Sequence, residues 1–136
     1  MADAARPLPR PTAQTAPFWE AARRHELVLQ RCTGCGRWRH YPQPLCPACH
    51  SAQHEWARAS GRGAIYSYCV AHRAFHPWWR DRVPYVIATI ELDEGVRMLC
   101  DLPGVAPAEV RIGRRVEVCF EDVGAELSLP RFRIAD

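Results

Sequence analysis

From residue 63 onward the apolar positions fall in the rhythm of β-strands. GAIYSYCVA (63–71) and YVIATIEL (85–92) are rich in β-branched and aromatic residues, which suit a pleated, half-buried surface. VRMLCDL (96–102) follows Asp93, Glu94 and Gly95, which read as a three-residue hairpin loop with glycine where a positive φ is needed. RRVEVCFEDV (114–123) sets Val116, Val118 and Phe120 against Glu117, Cys119 and Glu121, the period of a strand with one buried face. LSLPRFRIA (127–135) supplies a last strand. Between them PGVAPAEVRIG (103–113) carries a short helical candidate in APAEV, closed by Gly113. Three strands, a short helix and two more strands are the order of a five-stranded OB-fold barrel. An SH3-like barrel or an open meander is the alternative.

Upstream the pattern changes. Residues 1–14 hold three prolines, two arginines and little to bury, and read as a flexible tail. A docking helix is expected over 15–25, capped by Thr15 or Ala16, with Pro17 in a first turn that does not need its N–H. Phe18, Ala21 and Ala22 share one face of it, and Phe18 and Trp19 form an aromatic pair suited to docking. ELVLQR (26–31), RWRHY (37–41) and HEWARA (54–59) read as three short strands around two CxxC turns. The small residues of SGRG (60–63) then mark a boundary. The expected class is mainly β: tail 1–14, helix 15–25, a rubredoxin-like zinc ribbon over 26–60 and an OB-fold domain over 61–136.

Composition narrows the possibilities without choosing among them. The chain has 136 residues, 48% of them hydrophobic and 24% charged, enough for one compact domain or a small module joined to one. All eighteen basic residues are Arg, and Asn is absent as well. Because Lys and Asn codons are rich in A and T, this reads as a GC-rich genome. A net charge of +3 neither demands nor forbids an anionic partner. No apolar run approaches the ~20 residues that cross a bilayer, and MADAARPLPR lacks a signal peptide's apolar core, so a cytoplasmic location is expected. Thiols stay reduced there, which turns seven cysteines away from a disulfide framework.

Cys32 and Cys35 are separated by two residues, as are Cys46 and Cys49, with ten residues between the pairs. Two facing CxxC turns supply the tetrahedron of thiolates that Zn²⁺ prefers, and iron suits the same cage. Gly36 directly after the second cysteine fits a turn that needs positive φ. A redox CxxC occurs once beside a βαβ pattern, which this chain lacks. Four thiolates leave no open position, so the expected metal is structural. It would contribute on the order of 10 kcal/mol to a module too small for a core of its own. His40, His50 and His54 read as ribbon histidines rather than ligands, and Cys69, Cys100 and Cys119 as small hydrophobes within strands. None has a base nearby in sequence, so no nucleophile is assigned.

AHRAFHPWWRDRVPY (71–85) interleaves Phe75, Trp78, Trp79 and Tyr85 with Arg73, Arg80, Arg82, His72 and His76. Such a loop between two strands is either a binding surface or a plug for the barrel mouth. Single-stranded nucleic acid suits it by stacking and charge. A protein, or an acyl-CoA at a protein interface with arginines on its phosphates, suits it equally. The low net charge and the acidic residues at 91–94 and 117–122 turn the balance away from nucleic acid. No set of residues meets the geometric needs of an independent hydratase or thioesterase.

In order and spacing, PFWEAARRHELVLQRCTGCG, PLCPACHS, EWARASGRGAIYSY, VPYVIATIELDEGVRMLCDLPG and IGRRVEVCFED followed by LPRF resemble the acyl-CoA-associated zinc-ribbon plus OB-fold family, DUF35. The resemblance covers nearly all of the chain after the tail. It implies a non-catalytic accessory subunit of a hetero-oligomer, free-standing rather than fused to a hydratase, whose partner is a thiolase-superfamily aldolase or acyltransferase working on acyl-CoA. Partners of this kind are a thiolase with hydroxymethylglutaryl-CoA synthase, an acetyltransferase of phloroglucinol biosynthesis, or the lipid-transfer-protein-like aldolase that removes a steroid side chain by retro-aldol cleavage. The expected interface comprises Phe18, Trp19, Phe75, His76, Trp78, Trp79, Arg82 and Phe132 of the C-terminal LPRFRIAD. Arg73 and Arg80 are the candidates for CoA phosphates.

Overall fold

The computed structural model describes residues 5–136; the first four residues of the stretch read as a tail lie outside the described residues. Residues 5–14 form neither helix nor strand, yet Arg6 is half-buried against the distant Glu121. Helix α1 spans Ala16–Arg23 and buries Phe18, Ala21 and Ala22 along one stripe, as the spacing predicts. Its N-terminal residue Thr15 does not cap it with its side chain. Instead Thr15 Oγ1 accepts from the Thr12 N–H at 2.9 Å, which holds the entry turn.

Strands β1 (Val28–Cys32), β2 (Trp38–Arg39) and β3 (His54–Arg58) form a three-stranded antiparallel sheet in the order β2-β1-β3. Strand β1 has a period-2 reason to sit in the middle: Leu27 and Leu29 face the chain's main core, and Cys32 reaches the cysteine cluster. Strands β4 (Arg62–Ala71), β5 (Tyr85–Leu92), β6 (Arg97–Asp101), β7 (Arg115–Val123) and β8 (Leu127–Ile134) form a second sheet in the order β6-β5-β4-β7-β8. In it β7 returns to pair with the start of β4, Arg62 opposite Glu117 and Ala64 opposite Arg115. This is the OB-type Greek key. Edge strands β6 and β8 meet through side chains, with Arg131 Nε donating to Asp101 Oδ1 at 2.9 Å.

The expected hairpin is present: Leu92 N–H donates to Val96 C=O at 2.8 Å around Asp93–Gly95, and Gly95 sits at φ +88°. At Gly63 the strands come so close that a Cβ would lie 2.3 Å from Glu91 O, so only glycine lets β4 pass there. The helix expected in APAEV shrinks to one 3-10 turn, Pro107–Glu109. Val110 leaves that turn extended and carries its side chain into the core, which stops the helix after a single turn.

One continuous core joins the pieces. Phe18 of α1, Leu27 and Leu29 of the ribbon, and Ile65, Val86, Ile90, Met98, Val116 and Phe132 of the barrel belong to a single buried cluster. Two residues expected at a partner interface are therefore spent inside this chain. Phe132 is 0% exposed because its place opposite Val118 in β8 turns it inward, and Phe18 is 8% exposed because α1 packs on β1 and β8. Trp19 is half-buried against the same cluster. The helix docks, but on its own barrel. No helix among the described residues is long and apolar enough to cross a membrane.

Candidate functional site

Two constellations carry the chemistry, and the first is the cysteine cluster. The Sγ atoms of Cys32, Cys35, Cys46 and Cys49 all lie within 4.8 Å of one another. Cys32 and Cys49 sulfurs are 3.5 Å apart and those of Cys35 and Cys46 3.7 Å. Four sulfurs placed ~2.3 Å from one tetrahedral ion would be about 3.8 Å apart, so the donor set fits a Cys₄ metal. The two turns are built alike. Gly36 N–H donates to Cys32 C=O and His50 N–H to Cys46 C=O, each at 2.8 Å, and both Gly36 (φ +77°) and His50 (φ +62°) are left-handed. Glycine meets that need without cost in the first turn, whereas His50 carries a small strain in the second.

Backbone N–H groups prepare the thiolates. The Cys35 N–H lowers the pKa of Cys32, and the Cys49 and Ala48 N–H groups bring Cys46 down to about 6. Cys49 goes the other way: the Ser51 N–H favours its thiolate, but the neighbouring sulfurs, Cys32 first, and burial push it up to about 11. Four such groups cannot all ionise side by side without a cation among them. The cluster is a closed structural metal site, all four positions being protein sulfur.

The second constellation is the 72–84 loop and what lies beneath it. A 3-10 turn, Pro77–Trp79, is capped by His76, whose Nδ1 accepts from the Trp78 N–H at 3.1 Å. Trp78 and Trp79 pack edge to face with centroids 4.9 Å apart, and Trp79 stacks on Tyr85 at 4.3 Å. Both tryptophans are half-buried, while Phe75 is 79% exposed with the Arg73 guanidinium over its ring. Arg80 is exposed, and Arg82 lies 3.4 Å from the Trp78 ring centroid. Of the expected interface residues, the structure thus gathers Phe75, His76, Trp78, Trp79 and Arg82 in one loop and leaves Phe18 and Phe132 in the core.

Beneath the loop lies a cleft of about 700 Å³ between Trp78, Trp79 and Tyr85 on one side and Leu102–Pro107 on the other. Sequence reasoning missed its floor. Arg6 comes from the N-terminal arm, sits 4.6 Å from the Trp78 centroid and pairs with Glu121, which also binds Arg131, which in turn holds Asp101. The Arg6 hydrogen bond holds the Glu121 carboxyl below its usual range. Nothing local in the sequence signals a contact spanning 115 residues; the polar phase of β7 marked only the side on which Glu121 would lie. Many other arginines are likewise answered by carboxylates, among them Arg97 by Glu91, Arg114 by Asp136, Arg115 by Asp93 and Arg133 by Glu117. These exposed pairs add little stability, but they break up any basic stripe along the barrel. Cys100 is half-buried against the core, and loss of solvent pushes its thiol up to about 12, so it behaves as a hydrophobe rather than a nucleophile.

Residues 19–55 match the family described as "ChsH2, rubredoxin-like zinc ribbon domain" and residues 56–121 that described as "ChsH2, C-terminal OB-fold domain". The chain is 42% identical over 132 residues to a probable enoyl-CoA hydratase alpha subunit of Thermomonospora curvata, covering 97% of this chain and 41% of that one. It is 40% identical over 114 residues to the 3-oxo-4,17-pregnadiene-20-carboxyl-CoA hydratase alpha subunit of Mycobacterium tuberculosis, covering 84% and 36%. This chain thus spans about two fifths of the length of those hydratase subunits. Against a DUF35 domain-containing scaffold protein of Methanocaldococcus jannaschii the identity is 36%, over 74% of this chain and 71% of that one. Among solved structures, a chain of the Ltp2-ChsH2(DUF35) aldolase superposes with a TM-score of 0.83 at 41% identity, covering 93% of this chain and 98% of that one. With the Cys₄ ribbon, the OB-type sheet and these relatives in agreement, the chain belongs to the DUF35 family in its ChsH2 form, a zinc ribbon joined to an OB-fold domain.

Proposed function

We propose that this chain is a non-catalytic subunit that binds and supports a thiolase-superfamily enzyme acting on an acyl-CoA, as part of a hetero-oligomer. The observation that carries the reading is the likeness, over 93% of this chain, to the ChsH2 chain of an aldolase complex. The relative named as a pregnadiene-carboxyl-CoA hydratase subunit points to a steroid side chain, and the aldolase of the solved structure to retro-aldol cleavage, within that class. In this reading the ribbon (26–60) and the barrel (61–136) act as two units, and zinc occupies the four cysteines as a structural ion.

The 72–82 loop is the docking surface. Phe75 stands out in solvent with no core to enter, and Trp78, held by arginines beside it, is a rigid aromatic anchor of the kind that dominates interface energetics. Arg73 and Arg80 are exposed beside it and would face CoA phosphates brought by the partner's substrate. Purifying a tagged chain from its host tests this. A co-eluting thiolase-superfamily enzyme, with zinc at one ion per chain in the same fractions, is expected. A chain that elutes alone in full yield, or that gains a salt-sensitive complex with single-stranded oligonucleotides, contradicts it.

A further inference from the structure

Against the ribbon lies a cleft of about 410 Å³, walled by β2, its flanks and Pro47 on one side and by the β5–β6 turn on the other. Arg37, Arg39 and Arg97 line it together with Trp38 and Tyr41, and no carboxylate lines it. Arg97 is paired with Glu91 at 3.0 Å. Among the described residues, no carboxylate lies within ion-pair distance of Arg37 or Arg39.

Arg39 is the unusual member. It is only 6% exposed, its Nε donates to Gln30 Oε1 at 2.7 Å, and its Nη2 donates to Gln43 C=O at 2.9 Å. Its Nη1 is cut off from solvent and has no partner. A buried guanidinium held only by neutral acceptors keeps its whole charge, and an uncompensated buried charge costs stability unless an anion answers it. The acceptor at the centre is telling. Gln30 is itself buried and also takes the Gln43 N–H at 2.9 Å, so a glutamate of the same shape would satisfy the same donors and cancel the charge. The chain uses the neutral amide there, and the positive potential is left to the cleft.

We propose that this cleft binds a phosphate-type dianion of a small ligand, gripped at the rim by the exposed Arg37 and by Arg97, with the Arg39 charge behind them. Guanidinium forks match tetrahedral oxyanions by paired N–H donation, and the volume of the cleft falls in the range of small-molecule sites. The site is separate from the aromatic loop and does not depend on any partner.

The test uses the full metal-loaded chain alone, titrated with inorganic phosphate against sodium chloride at matched ionic strength, while the Trp38 indole N–H signal is followed by NMR. A saturable shift is expected with phosphate and not with chloride. Gln30→Glu, which supplies the missing counter-charge, and Arg37→Gln, at an exposed position, should each weaken binding by about tenfold or more, while the melting temperature of Gln30→Glu holds or rises. A response that fails to saturate by about 50 mM, equals that of chloride, or survives unchanged in Gln30→Glu overturns the proposal. So does tighter binding of acetate than of phosphate, since that assigns the cleft to a carboxylate.

Discussion

The ribbon and the barrel solve the same problem of cohesion by different means. The barrel closes five strands over a continuous core in which Ile65, Ile90, Leu92 and Phe132 are almost wholly buried. The ribbon has strands of five, two and five residues, and it gives the shared core only Leu27, Leu29 and Ala59, with Trp38 and Trp56 packed half-buried against them. What holds its distal half is four sulfurs and the N–H groups that prepare them. A region too small to bury enough apolar surface depends on coordination, whereas the larger one depends on packing. The difference also shows in the arginines: Arg39 of the ribbon is buried against the neutral amide of Gln30, whereas in the barrel Arg115, the half-buried Arg131 and Arg133 are paired with carboxylates.

Breaking the ribbon's side gives the largest effect. Removal of the metal by a chelator should cost the ribbon on the order of 10 kcal/mol of coordination energy, and Cys46→Ser, which leaves three sulfurs, a part of it. NMR spectra should then lose dispersion for residues 31–54 while barrel signals such as those of β5 persist at reduced stability. If barrel and ribbon signals vanish together, the division between coordination and packing is wrong. On the barrel's side, Phe132→Ala should cost about 3–5 kcal/mol in denaturant unfolding, and metal content should stay at one ion per chain.

The junction of the two regions gives the next effect, and it depends on pH. His40 is stacked on Phe18 between ribbon and helix, and burial lowers its pKa to about 4. Between that value and the ordinary histidine value near 6.5 the unfolded chain holds a proton that the folded chain does not, so stability falls as pH drops through this window. The loss should reach roughly 2–3 kcal/mol by pH 4, and His40→Phe should flatten that part of the curve. An equally steep curve in the variant would rule His40 out as its source.

The smallest effect belongs to the N-terminal arm. Arg6→Ala removes the partner that lowers the Glu121 pKa and one of the two cations beside Trp78. A loss of about 0.5–1 kcal/mol is expected, together with a shift in tryptophan emission. Because a carboxylate with a lowered pKa stabilises only above its folded value, the difference between wild type and Arg6→Ala should fade as pH drops through the acid range. A difference that grows on acidification would contradict the pairing.

What the sequence made legible follows the range of the interactions. The two CxxC turns, Gly36, the three-residue turn ending at Gly95 and the strand order are written in neighbouring residues, and each is present in the structure. Facing was harder. Phe18 and Phe132 read as surface aromatics, since a helix stripe or a strand period shows which residues share a side but not what covers it. The APAEV segment has a helix former's composition, and only the pull of Val110 into the core limits it to one turn. Arg6 with Glu121, and Gln30 with Arg39, were invisible because each depends on segments brought together by the fold. At Gln30 the informative feature is an absent charge.

The claim that the barrel's aromatic loop is what this subunit offers a partner is tested most directly by Phe75→Ala. Phe75 is exposed, so the variant should keep wild-type melting and metal content. The measurement is its affinity for the enzyme that co-purifies with the wild-type chain. We predict a loss of about tenfold or more, the range of an exposed aromatic that becomes buried on binding. Unchanged affinity in a fully folded Phe75→Ala chain would show that the partner docks elsewhere.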